Sequence, residues 1–380
     1  MFIDIYAIQN VPPSNVNRDD TGSPKVAHYG GVLRARVSSQ AWKRAMREMF
    51  KDLLKTDQLG VRTKNAIALI REAIVSKRPD FADGAEDMAV GALTATGVKV
   101  KKSDRAGADK GTTATEYLIF IAQREIDQLA DVAIGWKEAG ADVTKPNAAM
   151  KKEVDAVFHG TQAIDIALFG RMLADAPDLN TDASAQVAHA ISVDQVTPEY
   201  DYFIAKDDRA SDDNAGAAML DTIGFNSTTL YRYATLNVDA LQGQLMDADA
   251  TVEGASAFVE AFIRSMPTGK QNTFANRTLP QTSVVMLRAA QPINVVDAFE
   301  DPVRREEGES ISRLAAKRLG RKLESVDHAY GEHPIKAWAV STDDAPVAEL
   351  AAISESVTFP ELQTELKTAL ADTLRIQEQA

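Results

Sequence analysis

Asn17-Arg18-Asp19-Asp20, then Gly30-Gly31-Val32-Leu33-Arg34-Ala35-Arg36-Val37-Ser38-Ser39-Gln40-Ala41-Trp42-Lys43-Arg44-Ala45-Met46-Arg47, is the stretch on which the reading of this chain turns. Residues 31 to 37 alternate, with Leu33, Ala35 and Val37 on one side and Arg34 and Arg36 on the other. That period predicts a strand with one packed and one cationic face. Ser38 and Ser39 offer N-cap hydroxyls for a helix starting near Gln40. On that helix Trp42, Met46, Met49, Phe50 and Leu53 recur at helical spacing and are expected to face the core, with Gln40, Lys43, Arg44, Arg47 and Lys51 opposite. Between Lys25 and Lys51 there are seven Lys or Arg and one Glu (7 − 1 gives +6), whereas the 380-residue chain carries a net −13. A cationic island in an acidic chain, feeding a helix N-terminus, predicts a dedicated site for a polyanion, RNA or DNA, ahead of an ordinary solvated face.

Working outward, residues 2 to 8 read as a strand, with Ile3, Ile5 and Ala7 on one face and Phe2, Asp4, Tyr6 and Ile8 on the other. Residues 9 to 29 read as a long loop. A largely helical region follows from about Val61 to Met172, in which Leu118, Ala122, Ile126, Leu129 and Ala133 share a stripe. Gly97 to Thr115 is polar and Lys-rich and reads as an exposed loop. Val187 to Ile191 and Leu230 to Leu236 read as strands bridged by a polar excursion, Asp207 to Ala217, too long for a simple hairpin turn. From Asp175 to Asp221 eleven Asp or Glu face two Lys or Arg, a balance of −9. Val252 to Met266 places Phe258, Phe262 and Met266 at i+4 spacing. Leu362, Leu366, Leu370 and Leu374 form a C-terminal stripe.

A chain of this length with 45% hydrophobic residues can bury a sizeable core in one large or two interlocked domains. It has no cysteine, hence no disulfide framework, thiolate metal site or Cys nucleophile. The N-terminal residues lack the pattern of a signal peptide, and no apolar run approaches a membrane span, so the expected location is cytoplasmic. Pro267-Thr268-Gly269-Lys270-Gln271 lacks the upstream Gly and following Ser or Thr of a phosphate-binding P-loop, yet Gly269 allows close backbone approach and Lys270 supplies charge. The five histidines show no ligand spacing, and His189 reads as structural. Adjacent Asp19 and Asp20 can hold Mg²⁺ for phosphodiester cleavage, or they can orient Arg18 and shape the loop; the second reading is preferred. Tyr202 and Phe203, with Met172 after Arg171, can stack on bases or pack in a hairpin core. No cofactor is expected.

In order and spacing, several segments resemble the CasC (Cse4) family, the backbone subunit of the type I-E CRISPR surveillance complex Cascade. They are the two opening segments, Asp165-Ile166-Ala167-Leu168-Phe169-Gly170-Arg171-Met172, Ala188-His189-Ala190-Ile191, Asp201-Tyr202-Phe203, Tyr231-Arg232-Tyr233-Ala234 and Pro267 to Gln271. The resemblance covers residues 1 to about 300 and thins after Glu300. It implies an α+β fold with a palm resembling an RNA-recognition motif (ferredoxin-type) in residues 1–60 and 181–380. It also implies a β-hairpin thumb inserted at about 186–230 and a helical fingers domain over 61–180.

The same resemblance implies a non-enzymatic subunit that stacks head to tail along CRISPR RNA beside other Cascade subunits and presents the guide for pairing with a target DNA strand. By resemblance, RNA contact falls to Arg18, Lys25, Ser38, Gln40, Lys43, Arg44, Arg47 and Lys270, beside Arg34 and Arg36 of the cationic strand. Base-wedge or thumb contact falls to Met172, Tyr202 and Phe203. Lys145, Lys151 and Lys152 correspond to a fingers patch that meets duplex DNA. Val32 stands where some relatives carry a basic residue. Two other readings stay open: a metal-dependent ribonuclease using Asp19 and Asp20, and a purely structural assembly protein.

Overall fold

The computed structural model describes residues 1–102, 112–205, 219–343 and 347–379. Its centre is the strand β1 (Phe2–Ser14), paired on both edges: with Met219–Asn237 on one side and Thr282–Arg288 on the other. The expected strand of residues 2 to 8 therefore continues to Ser14. The register against Met219–Asn237 shifts between Val11 and Ser14, where Pro12 and Pro13 supply no ladder N–H.

The alternation read from residues 2 to 8 divides two cores. Ile3, Ile5 and Ala7 pack with Trp42, Met46 and Phe50 of the helix α1 (Ser39–Leu53), and with Phe258 and Phe262 of the helix Ala248–Arg264. Leu362, Leu366, Leu370 and Leu374 of the last helix, Phe359–Gln379, complete that core. On the opposite sheet face Tyr6 and Ile8 pack with Leu314, Leu319 and Leu323 of the helix Ile311–Tyr330. Asp4 is buried on this second face and keeps its charge partnered. It accepts from the Tyr233 hydroxyl at 2.8 Å and the Ile293 N–H at 3.0 Å, and it pairs with Arg288 at 3.1 Å. Arg288 also reaches Asp327 at 2.8 Å, so this buried guanidinium is held between two carboxylates, which offset its desolvation.

The main sheet runs Glu355–Ser356, Lys336–Ser341, Thr282–Arg288, β1, Met219–Asn237, Ala190–Ser192, β3 (Val32–Val37) and β2 (Val26–Tyr29). Ala185–Val187 and Glu199–Ala205 also pair with Met219–Asn237. Neighbours are antiparallel except Lys336–Ser341 with Glu355–Ser356. The fold is thus mixed α+β, with twelve α-helices among the described residues. Val26–Tyr29 is a strand within the stretch expected as loop.

A third core lies within residues 60 to 180. Ile70, Met88, Leu129, Ala133 and Val154 meet there from the helices Ala66–Lys77, Ala85–Ala95, Gln123–Glu138 and Ala148–Phe158. This region also carries two small antiparallel sheets, Gly60–Thr63 with Ile119–Ala122 and Val100–Lys102 with Thr113–Thr115. The stripe expected from Leu118 to Ala133 is corrected accordingly. Leu118 is exposed, Ala122 ends a strand, and only Ile126, Leu129 and Ala133 share the helical face. The helix begins at Gln123 because the Glu125 carboxylate accepts the Ala122 N–H at 2.8 Å. The ends of the Gly97 to Thr115 loop are the Val100–Lys102 and Thr113–Thr115 strands, and its middle lies outside the described residues, as does the Asp207 to Ala217 excursion. No described helix is long and apolar enough to cross a membrane.

Candidate nucleic-acid interface

The N-terminus of α1 is built as the sequence predicts. Ser38 has extended backbone, and its hydroxyl accepts the Ala41 N–H at 3.3 Å. Its own N–H donates to the Asn17 side chain at 2.9 Å, which ties the 17–25 loop to the helix start. Asp19 shapes that loop: one carboxylate oxygen accepts from Thr21 N, the Thr21 hydroxyl and Ser23 N at 2.9, 2.7 and 3.0 Å. The Thr21 hydroxyl, then the backbone donors, hold its pKa below the ordinary value.

Beside this helix start opens a cleft of about 1100 Å³. Three separate segments line it: the 16–25 loop, the outer flank of α1, and residues 265–277. Arg18, Lys25, Ser38, Gln40, Arg44 and Lys270 all lie on its wall. Arg277 is there too, a cation beyond the Pro267 to Gln271 motif that local sequence does not mark. Asp19, Asp20, Glu48 and Asp52 also border the cleft, but Asp19 is held by its turn and Glu48 by Lys51 at 2.5 Å. Gly269 is required where it stands: a Cβ there would lie 2.0 Å from the Val16 carbonyl oxygen. Lys270 follows in the left-handed region at φ 50°, which costs a side-chain-bearing residue about 1–2 kcal/mol.

Arg34 and Arg36 depart from the expected cationic face. Arg34 is fully buried, and its guanidinium donates to the carbonyls of Tyr29, Ser192, Phe299 and Glu300 at 2.8–3.2 Å. It clamps the β2–β3 hairpin to a segment far along the chain and presents nothing to solvent. Arg36 is half-buried, donating to the Val26 carbonyl at 3.3 Å, with the exposed His189 ring 3.3 Å away. His189 accepts the Ser39 N–H at 3.3 Å, so it caps α1. Burial, then Arg36 and Lys25, lower its pKa.

Lys43 and Arg47 lie on the other flank of α1, against the 60–180 region. The Lys43 ammonium is 5.5 Å from the Phe169 ring centre, and Arg47 is 4.4 Å from that of Phe120. Arg47 approaches Asp165 at 3.4 Å, and Asp165 accepts the Gly60 N–H at 2.8 Å. Burial raises the Asp165 pKa to about 6 in spite of these partners.

Met172 is 81% exposed at the end of a rigid mount. Its neighbour Arg171 is buried, paired with Glu125 at 2.7 Å and donating to the Leu179 carbonyl at 3.1 Å. Tyr202 and Phe203 stand on the Glu199–Ala205 strand and are exposed at 59% and 38%. As neighbours in a strand they point to opposite faces, and it is Tyr200, missed in the sequence, that shares a face with Tyr202. Lys145, Lys151 and Lys152 are exposed at and beside the helix Ala148–Phe158, remote in sequence from the cleft-lining segments.

Comparison with known proteins agrees over nearly the whole chain. No curated protein matches. A chain of a solved "CRISPR RNA-guided surveillance complex, pre-nicking" is 32% identical, with 97% of this chain and 100% of that chain covered and a TM-score of 0.83. A chain of a second "CRISPR RNA-guided surveillance complex" is 28% identical at the same coverages, with a TM-score of 0.72. Residues 3–365 match the family model described as CT1975-like protein, and the chain belongs to that family.

Proposed function

We propose that this protein is a guide-RNA-binding backbone subunit of a CRISPR surveillance complex of the type I-E Cascade kind. It stacks head to tail along the CRISPR RNA with other copies of itself, beside other subunits, and presents the guide to a target DNA strand. The observation that carries this reading is the cleft beside α1. Arg18, Lys25, Arg44, Lys270 and Arg277, from three segments distant in sequence, share one wall with a capped helix N-terminus. Backbone phosphates suit such a place, and contacts to phosphate are blind to base sequence, as a subunit serving any guide requires.

The strand order Thr282–Arg288, β1, Met219–Asn237, Ala185–Val187 with Ala190–Ser192, and α1 and Ala248–Arg264 on one face, supports reading this part as a ferredoxin-type, RRM-like palm. In this reading the 61–180 region forms the fingers and the Glu199–Ala205 hairpin forms the thumb. An RRM stacks bases on its open sheet face. Here the helix Ile311–Tyr330 covers that face, so the RNA path moves to the loops at the α1 end. Exposed Met172, Tyr200 and Tyr202 supply side chains that can wedge between or stack on bases. The Lys145, Lys151 and Lys152 patch is proposed for the DNA strand.

The protein is proposed to be non-catalytic, with Asp19 committed to loop geometry. The test is extraction and sequencing of nucleic acid from the protein co-purified with a CRISPR array and partner subunits. Uniform short RNA carrying array spacers is expected; random RNA, or none, would overturn the proposal. Incubating the same complex with Mg²⁺ is expected to leave the RNA intact, whereas cleavage abolished by Asp19→Asn would favour the ribonuclease reading.

A further inference from the structure

The flank of α1 away from the cleft holds an unbalanced group of cations. Arg62 lies on the Gly60–Thr63 strand, directly across from Phe120 in the two-stranded sheet. Its guanidinium is 4.9 Å from the Phe120 ring centre, and that of Arg47 is 4.4 Å from the same centre. Lys43, one helical turn before Arg47, rests against Phe169. Arg47 and Arg62 share one nearby carboxylate, Asp165, which pairs with Arg47. Among the described residues neither Lys43 nor Arg62 has an ion-pair partner. Burial, then the charge of Arg62, lowers the Lys43 pKa, and burial, then the charge of Arg47, lowers that of Arg62. Gathering like charges in a half-dehydrated place is unfavourable unless an anion joins them. Cation–aromatic contact holds the guanidiniums in position without neutralising them.

We propose that Arg62, supplied by the 60–180 region rather than by the main sheet, joins Lys43 and Arg47, to which the resemblance already gives RNA contact, in holding a second phosphodiester of the guide RNA. This deepens the RNA-binding reading and rests on it. Lys43 and Arg44 are consecutive on α1 but face the two flanks, and Arg44 lines the cleft. An RNA backbone seated in the cleft has only to cross one turn of α1 to reach the second site. Phe169, which bears Lys43, lies three residues before the exposed Met172. The backbone is thus gripped on either side of the helix, close to the side chain proposed to wedge between bases. The site also bridges α1, which packs under the main sheet, and the 60–180 region, whose Gly60–Thr63 strand carries Arg62.

The experiment measures binding of a single-stranded guide RNA to the full chain by fluorescence anisotropy over a series of salt concentrations, for wild type, Arg62→Gln and Arg62→Lys. Arg62→Gln is expected to weaken binding by about tenfold, the scale of one charge-assisted contact. It should also lower the slope of log affinity against log salt by about 0.7, one phosphate fewer on a single strand. Arg62→Lys keeps a charge and is expected to keep the slope. A Gln variant with wild-type affinity and slope would overturn the inference. So would lowered melting temperatures in both variants with an unchanged slope, which marks a packing role. Weakening confined to single-stranded DNA, with RNA binding intact, would also overturn it. If wild type itself binds no RNA, the proposed function fails rather than the role of Arg62.

Discussion

Replacing Lys270 with glycine is expected to raise the stability of the protein and lower its affinity for RNA, two changes of opposite sign from one substitution. Lys270 sits at φ 50°, ψ 24°, which costs a residue with a Cβ about 1–2 kcal/mol. Its surroundings enforce that conformation. Gly269 is pressed against the Val16 carbonyl, Gln271 N donates to the Thr268 carbonyl at 3.2 Å, and Thr273 N and Phe274 N donate to the Lys270 carbonyl at 3.0 and 3.1 Å. Glycine takes the left-handed conformation freely, but its unfolded chain is more mobile by about 0.5–1 kcal/mol. The difference leaves a net stabilisation of roughly 0.5–1 kcal/mol. On the binding side the cleft loses one ammonium, and the salt slope of single-stranded RNA affinity is expected to fall by about 0.7. Lys270→Ala separates the two effects, since it loses the charge but keeps the strain, so it should bind like the glycine variant with near wild-type stability. Urea denaturation and anisotropy titrations read the two quantities. If Lys270→Gly loses stability and affinity together, or keeps the wild-type slope, then the strained backbone does not serve to present a charge and the argument fails.

Gly269→Ala should displace the 265–277 segment from the 16–25 loop. Its Cβ would start 2.0 Å from the Val16 oxygen where ordinary contact begins at 3.4 Å, a cost of about 1–3 kcal/mol, and an unchanged melting temperature would contradict the packing described. Arg171→Met leaves Glu125 buried without its partner and is expected to cost about 3–5 kcal/mol, read as a fall in the urea midpoint; a midpoint like that of wild type would mean the pair is not sequestered. Asp165 has a folded pKa of about 6 against an ordinary 3.8, so between those values the folded state binds more protons than the unfolded state. The penalty for its charge is absent below about 3.8, complete above about 6, and stability should decline as pH rises through that window. Asp165→Asn, which can still accept the Gly60 N–H, is expected to flatten this part of a melting-temperature profile between pH 4 and 7, and a variant profile parallel to wild type would count against the assigned burial.

The helix α1 shows how far a sequence reaches. Trp42, Met46 and Phe50 were legible as its buried stripe, and Ser38 as its cap, because both follow from the 3.6-residue period and the free N–H groups of a helix start. The same period places Lys43 and Arg44 together on the outer side. What it cannot tell is that Arg44 opens into a cleft while Lys43 leans on Phe169. That division depends on which elements pack against each flank.

Arg34 marks the other boundary. Strand alternation sets it on the same face as Arg36, the face expected to be cationic and open to a polyanion. The structure places a loop 265 residues away over it, with the Phe299 carbonyl accepting at 2.8 Å. Arg62 and Arg277 escaped the reading for the converse reason: both lie outside the cationic island of residues 25–51, and each gains meaning only beside residues brought in from elsewhere. The period of β1, the amphipathic face and cap of α1, the C-terminal leucine stripe and the local excess of positive charge follow from amino-acid order alone, since these depend on neighbours within a few residues. Which cations share a cleft, the burial of Arg34 among carbonyls and the helix over the second sheet face emerge only in the folded chain. Those outcomes depend on surfaces meeting across long stretches of chain, and a local pattern says which side a residue takes but not what will be packed against it.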